Sequence, residues 1–339
     1  MAWVRSREPV LAKIRLTRVL TVASLAFAAR GPGPAASVGR MRFGLVGTGY
    51  WARVTHAPAL SSTAGVELAA VWGRNPQAAA DLAAEYQATP QHDVSAFLAE
   101  VDAVCFAVPP DVQAPIATQA AQAGKHLLLE KPVALTEAAA DGLVEAVEQA
   151  GVASVVFFTN MFQPDVRAWL AEVETRGGWT GGVSAWLGSA LRESNPFNTP
   201  WRRAKGGLWD VGPHMVSLLW ASLGPVTSVT ADAGPADVTH LILHHQGGAT
   251  STTTLTLSAA QVAAGAEAYL WGESGRLAVP PGSVAPVAAL STALGELVAN
   301  ARAGQTEHPC DVRFGRDVGR VLAEAQRQID ARHAGHRGT

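Results

Sequence analysis

Cysteine is scarce in this 339-residue chain, which has only Cys105 and Cys310. Two thiols cannot build a disulfide framework, and Cys105 sits in an apolar run that suits a small buried hydrophobe. Such thin cysteine usage fits a reducing compartment. Charge is sparse too. Asp, Glu, Lys and Arg make up 16% of residues and the formal net charge is −2. The two signs are interspersed, so no basic face is offered to a nucleic-acid backbone. Long apolar runs are also missing, since none approaches the ~20 residues a membrane span requires. No repeat, heptad or zinc-like spacing occurs. His244-His245 falls on an expected strand, where neighbours point to opposite faces and cannot share a metal. What remains is a globular composition, 48% apolar, in a chain long enough for two domains.

From Met41 onward, strands and helices alternate. Residues 43–46, 66–72, 102–108, 125–129 and 154–159 read as strands, and 76–85, 112–123 and 136–150 as helices. Thr136 suits the N-cap of the last helix, and Gly151 stands just past its end. That alternation predicts a doubly wound parallel sheet over 41–160. Beyond Asn160 the texture changes. A helix at 165–176 and another near 213–222 accompany strand-like segments at 182–188, 226–231, 240–245 and 250–257. The Gly-Gly pair at 247–248 marks a hairpin and an antiparallel sheet. Two helices, near 289–302 and 311–332, close a second α/β domain expected over 161–335.

The turn after the first strand is Gly47-Thr48-Gly49-Tyr50-Trp51-Ala52. In a Gly-x-Gly-x-x-Ala turn the first glycine allows the tight bend and the second lets backbone approach a pyrophosphate. The small third residue lets helix and strand pack closely, and the helix N-terminus offers free N–H groups to the anion. A bare strand–helix turn is the alternative, but the β-α series around it supports a dinucleotide site. An acid accepting from the ribose 2′-hydroxyl is expected about 20 residues on. Here the second strand ends Val71-Trp72-Gly73-Arg74-Asn75, without an acid. Arg74 suits a 2′-phosphate, so NADP is preferred over NAD, against the alternative of a solvated loop arginine.

The first 40 residues need separate treatment. Arg15 and Arg18 precede an apolar run at 19–29 containing Ala26-Phe27-Ala28, the outline of an export signal. The preferred reading starts the working protein at Met41 and treats 1–40 as a disordered extension or non-native start. An exported, unfolded chain would have to find its dinucleotide outside the cytoplasm. A cytoplasmic location is therefore expected.

Two further segments carry chemistry. Gly124-Lys125-His126-Leu127-Leu128-Leu129-Glu130-Lys131-Pro132 places Lys131 just past a strand, on the sheet edge where ligands bind in open α/β folds. Gly206-Gly207-Leu208-Trp209-Asp210-Val211-Gly212-Pro213-His214 presents His214 in the first turn of a helix, with Asp210 just ahead.

With these residues in order, the chain resembles the Gfo/Idh/MocA family of oxidoreductases from Met41 to about Ile329. The Gly47 turn, Pro109-Pro110, Ala123-Gly124-Lys125-His126, Glu130-Lys131-Pro132, Trp201-Arg202, the Gly-Gly-x-x-x-Asp-x-Gly-x-His segment and Trp271-Gly272-Glu273-Ser274-Gly275 carry the likeness. The resemblance implies a Rossmann domain followed by an α/β domain with a large, mostly antiparallel open sheet, through which a homo-oligomer, dimer or tetramer, is expected. It implies cofactor contacts from Gly47, Thr48, Gly49, Tyr50, Trp51, Gly73, Arg74, Asn75, Val108, Pro109, Pro110, Glu130 and Lys131. Catalytic roles fall to Lys131, Asp210 and His214, with His214 as proton acceptor in alcohol oxidation. Asn160, Trp201, Arg202 and Trp209 are candidate contacts to a sugar, polyol or related small molecule. No metal is implied.

Departures are visible. The acid often found three residues after the histidine is Ser217 here, Gln113 replaces a frequent histidine, and Asn160-Met161-Phe162 lacks an arginine. They leave the specific substrate open. The bland readings make Lys131 a loop lysine, Asp210 a helix cap, His214 a core imidazole and each tryptophan a core residue. A cofactor-bound sensor without turnover, or an eliminating enzyme that uses nicotinamide transiently, are the rival functions.

Overall fold

A computed structural model of the chain describes residues 39–193 and 195–336. The expected extension over 1–40 lies outside these, apart from its last two residues. Strands β1 (Met41–Val46), β2 (Val66–Trp72), β3 (Thr89–Gln91), β4 (Ala103–Phe106), β5 (His126–Leu129) and β6 (Ser154–Val156) form one sheet in the order β3-β2-β1-β4-β5-β6. All its pairings are parallel. Every residue of β4 is buried, and so are the three leucines of β5. Such unbroken apolar runs are what a parallel sheet covered on both faces requires. Strand order reverses between β1 and β4, which opens a crevice at their carboxyl ends.

The crossovers contain a π-helical turn (Ala52–His56) running into α1 (Ala57–Ser62), then α2 (Pro76–Glu85), α3 (Val94–Ala99), α4 (Pro110–Gln122) and α5 (Glu137–Ala150). Local signals close α5 at both ends. Thr136 accepts from Ala139 N at 3.2 Å, and Gly151 is left-handed with φ 62°. The sequence pattern does not reveal β3 and α3. β3 is three residues long with Pro90 at its centre, tolerable only because it is an edge strand.

The second unit contains α6 (Pro164–Arg176), β7 (Trp179–Leu187), α7 (Pro200–Asp210), α8 (Gly212–Leu223), β8 (Val226–Ala233), β9 (Thr239–His245), β10 (Thr250–Thr256), β11 (Gly265–Gly272), β12 (Gly275–Ala278), α9 (Pro286–Arg302) and α10 (Val312–His336). Its six strands run β12-β11-β7-β10-β9-β8. Only β7–β10 is parallel; the other four pairings are antiparallel. β9 alternates strictly, with Leu241 and Leu243 buried and His240, Ile242 and His244 exposed, so one face of the sheet is covered and the other open. α8 packs on the covered face, where Leu219 lies against Gly182.

Helix α10 touches both units. Arg313, Arg320 and Arg327, seven residues apart, pair with Glu148, Asp141 and Glu137 of α5 at 2.7, 2.8 and 2.6 Å. Near its other end, Gln328 bonds Val229 O and Ala231 N, and Arg332 meets Asp232, all on β8.

Candidate functional site

The two units enclose a cleft of about 1280 Å³ above the carboxyl edge of the parallel sheet. At the start of the glycine turn, Gly47 has φ 128° and donates from its N–H to Trp72 O at 2.8 Å. A Cβ there would stand 2.4 Å from Ala107 O, so no side chain fits. Gly49 is different. Nothing lies within 4 Å of the position its Cβ would take, and the residue lines the cleft. The backbone is therefore bared to the cavity just where the helix begins, a cradle that a side chain would fill.

Thr48 packs against Gly73, where an added Cβ would be 2.7 Å from the threonine methyl. Arg74 is exposed, lines the cleft and makes no hydrogen bond or ion pair among the described residues. Asn75 is committed elsewhere, capping α2 by accepting from Ala78 N at 3.2 Å. Tyr50, Trp51, Val108, Pro109 and Pro110 line the cleft. Phe197 of the second unit meets Tyr50 and Trp51 edge-on, at 5.3 and 5.7 Å between ring centroids.

The Glu130-Lys131-Pro132 turn is clamped by fully buried Gln113. Its amide donates to Glu130 O at 2.8 Å and its oxygen accepts from Glu130 N at 2.8 Å. The glutamine that departs from the family pattern thus has a definite task. Glu130 also accepts from Trp51 Nε1 at 2.7 Å and lies 3.0 Å from His56 Nε2. Lys131 crosses the cleft, and its Nζ donates to Asp210 O at 2.7 Å and Asp210 Oδ1 at 3.1 Å.

Asp210 stands at the end of α7, a helix kinked at Gly206, whose φ of 63° only glycine adopts readily. Asp237, thirty residues away in the β8–β9 loop, holds that kink. Its Oδ2 accepts from Gly207 N at 2.9 Å and Leu257 N at 2.7 Å, and Oδ1 accepts from Thr256 Oγ1 at 2.6 Å. Gly207 is pressed against the β10 backbone, where an added methyl would stand only 2.8 Å from Thr256 N. Asp210 Oδ2 accepts from Arg202 Nε at 2.8 Å. Burial works to raise the Asp210 carboxyl, but Lys131 and Arg202 outweigh it and bring the pKa down to about 2. Arg202 itself lies over the rings of Phe197 and Trp201, 5.2 and 4.9 Å from their centroids.

His214, in the first turn of α8, is buried and lines the cleft. Burial, reinforced by the Lys131 ammonium and partly offset by Asp210, holds its pKa well below the ordinary imidazole value. It is neutral at pH 7, with Nδ1 buried and without a hydrogen-bond partner. Trp186 of β7 stacks on it, centroids 5.2 Å apart and planes 26° apart.

The fold thus brings Lys131, Asp210, His214, Asn160, Trp201 and Arg202 to one cleft with the glycine turn. Trp209 is not among the cleft walls. It is buried and its indole donates to Gln326 Oε1 at 3.0 Å, so the core reading replaces the expected substrate contact. Arg202 is engaged by Asp210 rather than left free. Sequence reasoning does not single out Trp186, Asp237 or His56. Trp186 and Trp209 are alike in composition and differ only in which way their elements face. Among the described residues, no group of three or more His, Cys, Asp or Glu could hold a metal ion, and no helix is long and apolar enough to cross a membrane.

Residues 41–158 match the profile of an oxidoreductase family with an NAD-binding Rossmann fold, and residues 175–278 match a Gfo/Idh/MocA C-terminal domain. The UDP-N-acetylglucosamine 3-dehydrogenase of Acidithiobacillus ferrooxidans is 38% identical over 109 residues, 32% of this chain and 34% of the relative. The inositol 2-dehydrogenase of Rhizobium meliloti is 33% identical over 129 residues, 38% of this chain and 39% of the relative. The chain thus matches little more than a third of the length of these two proteins. Among solved structures, GenD2 from gentamicin A biosynthesis, in complex with NAD, superposes with TM-score 0.76 at 21% identity, covering 88% of this chain and 97% of that one. At that identity the likeness shows the fold alone.

Proposed function

Because the chain belongs to the Gfo/Idh/MocA oxidoreductase family, we propose that it is a nicotinamide-dependent dehydrogenase or reductase acting on a carbinol or carbonyl carbon of a sugar, polyol or related small molecule. The observation that carries this reading is the Lys131 ammonium fixed on Asp210 at the cleft wall, electrostatically coupled to a neutral, buried His214.

The glycine turn fits a dinucleotide, since Gly49 leaves open backbone at a helix start and Gly47 admits no side chain. Gly47 to Trp51 would hold the pyrophosphate, Gly73 to Asn75 the adenosine ribose, and Val108 to Pro110 with Glu130 the nicotinamide end. When bound, the nicotinamide ring takes up or gives back the hydride. The chain's own residues do the rest. In the oxidising direction His214 accepts the hydroxyl proton as the C–H electron pair leaves and the C=O bond forms. Lys131 donates to the substrate oxygen and stabilises charge developing on it. Asp210 and Arg202 keep that ammonium in place. Trp186 and Trp201 offer ring faces to a sugar. A panel of sugars and polyols, followed by nicotinamide absorbance, tests the reading. Turnover of at least one is expected, and silence across the panel would favour the cofactor-binding sensor.

NADP is the preferred cofactor, supported by unpaired Arg74 on the cleft wall and by the missing acid after β2. Calorimetry should show tighter NADPH than NADH binding, with Arg74→Ala removing most of the difference; NADH tighter by about tenfold overturns it. The open face of the second sheet, with Ile242 and Trp271 each more than two-fifths exposed, suits a second copy of the chain. A monomeric sedimentation profile would refute that. A cytoplasmic location follows from the need for a dinucleotide supply.

A further inference from the structure

Two buried residues, His56 and Cys105, take no part in the chemistry above. His56, at the end of the π-helical turn, is completely buried. Its Nδ1 lies 3.1 Å from Cys105 Sγ on β4, and its Nε2 lies 3.0 Å from Glu130 Oε1. The same carboxylate oxygen accepts from Trp51 Nε1 at 2.7 Å, while Oε2 accepts from Lys131 N at 3.2 Å. Burial, with Glu130 adding to it, pushes the Cys105 thiol well above its ordinary pKa, so Sγ keeps its proton. One ring nitrogen of His56 thus faces a thiol and the other faces the Glu130 carboxylate, which accepts from any proton on Nε2.

The Trp51 indole and the Lys131 backbone give this carboxylate uncharged N–H donors. The neighbouring ammonium of Lys131 is bonded to Asp210 instead. Burial acts to raise the Glu130 pKa, but its contacts to His56, the Lys131 charge and Trp51 together hold it below the usual carboxylate range, so it is ionised. The residue lines the cleft, as do Lys131 and Pro109.

We propose that Glu130, held by His56, is a fixed negative charge that makes the cleft bind the oxidised, cationic nicotinamide in preference to the reduced, neutral one. This rests on the dehydrogenase reading. The two redox forms share their phosphates, riboses and adenine, so contacts at the Gly47 turn cancel in the ratio of their affinities. The positive charge on the ring does not cancel. His56 acts here as a positioning residue, with Cys105 against its other ring nitrogen.

The test is calorimetric titration of the full chain with oxidised and reduced cofactor. Glu130→Gln is nearly isosteric, and its Oε1 can still accept from Trp51 and His56. The oxidised form should bind more weakly by about tenfold or more and the reduced form should change little, because only the cationic ring feels the charge that is removed. Equal weakening of both forms, or no change, overturns the proposal. His56→Ala should shift the ratio in the same direction by less, because it frees the carboxylate without discharging it; a merely structural role would weaken both forms together. Glu130→Asp guards against misfolding. It keeps the charge and should leave the ratio near that of the unmodified chain, whereas a shift as large as that of Glu130→Gln refutes the electrostatic cause. If the unmodified chain binds neither form, the dehydrogenase reading fails and this inference falls with it.

Discussion

The two walls of the cleft are made of different materials. The first is backbone: Gly47 tucked against Ala107, Gly49 bare, and a helix start behind them. The second is buried charge: Asp210 between Lys131 and Arg202, with a neutral imidazole beside it. A backbone wall serves any ligand that carries the right anion, whereas a charged wall needs each partner in place, since an unpaired buried ion is costly. The difference teaches that the first wall should fail locally and the second collectively.

The largest effect is expected at the second wall. Lys131→Ala and His214→Ala should each lower turnover by on the order of 10²-fold, read by steady-state kinetics. Near-normal turnover in both would remove the proposed division between the walls. Next comes a pair at the first wall. Gly49→Val should weaken dinucleotide binding by about tenfold or more while leaving the thermal midpoint almost unchanged, because only the cradle is filled. Gly47→Ala should instead lower the midpoint, its Cβ meeting Ala107 O at a positive φ. Equal behaviour of the two variants would break the comparison.

A smaller effect is expected from Asp237→Ala, which touches neither ligand nor cofactor but releases Gly207. Turnover should fall roughly tenfold through displaced Asp210, with dinucleotide affinity unaffected. The smallest effect is on stability against pH. The folded-state pKa of His214 is depressed, so below about pH 6.5 the unfolded chain takes up a proton that the folded chain refuses, and stability falls by up to ~1.4 kcal/mol per pH unit. His214→Gln should flatten that part of the denaturation profile. Asp210 acts in a lower window, stabilising above its ordinary 3.8 and losing that contribution as pH falls toward about 2.

The same contrast governs what the sequence could reveal. The first wall is local: strand, turn, helix and glycines adjoin, and Thr136 and Gly151 mark their helix just as openly. Lys131, Asp210 and His214 are legible as a set through the family resemblance. Their geometry is not. It depends on Asp237 reaching Gly207 from thirty residues away, and on β7 turning Trp186 toward the cleft while α7 turns Trp209 into the core. No periodicity reports such choices. α7 is hidden because its two glycines read as a loop, and the structure uses them as a kink.

The helix behind both walls has a mechanical consequence. α10, 25 residues and so about 37 Å long, is laced to α5 by three arginines and to β8 by Gln328 and Arg332. It ties the two units together through residues that do not line the cleft. Its ion pairs are partly solvated and individually weak, so they resist swinging only in concert. Loosening several of them together is expected to weaken the Lys131–Asp210 contact without a change to either residue.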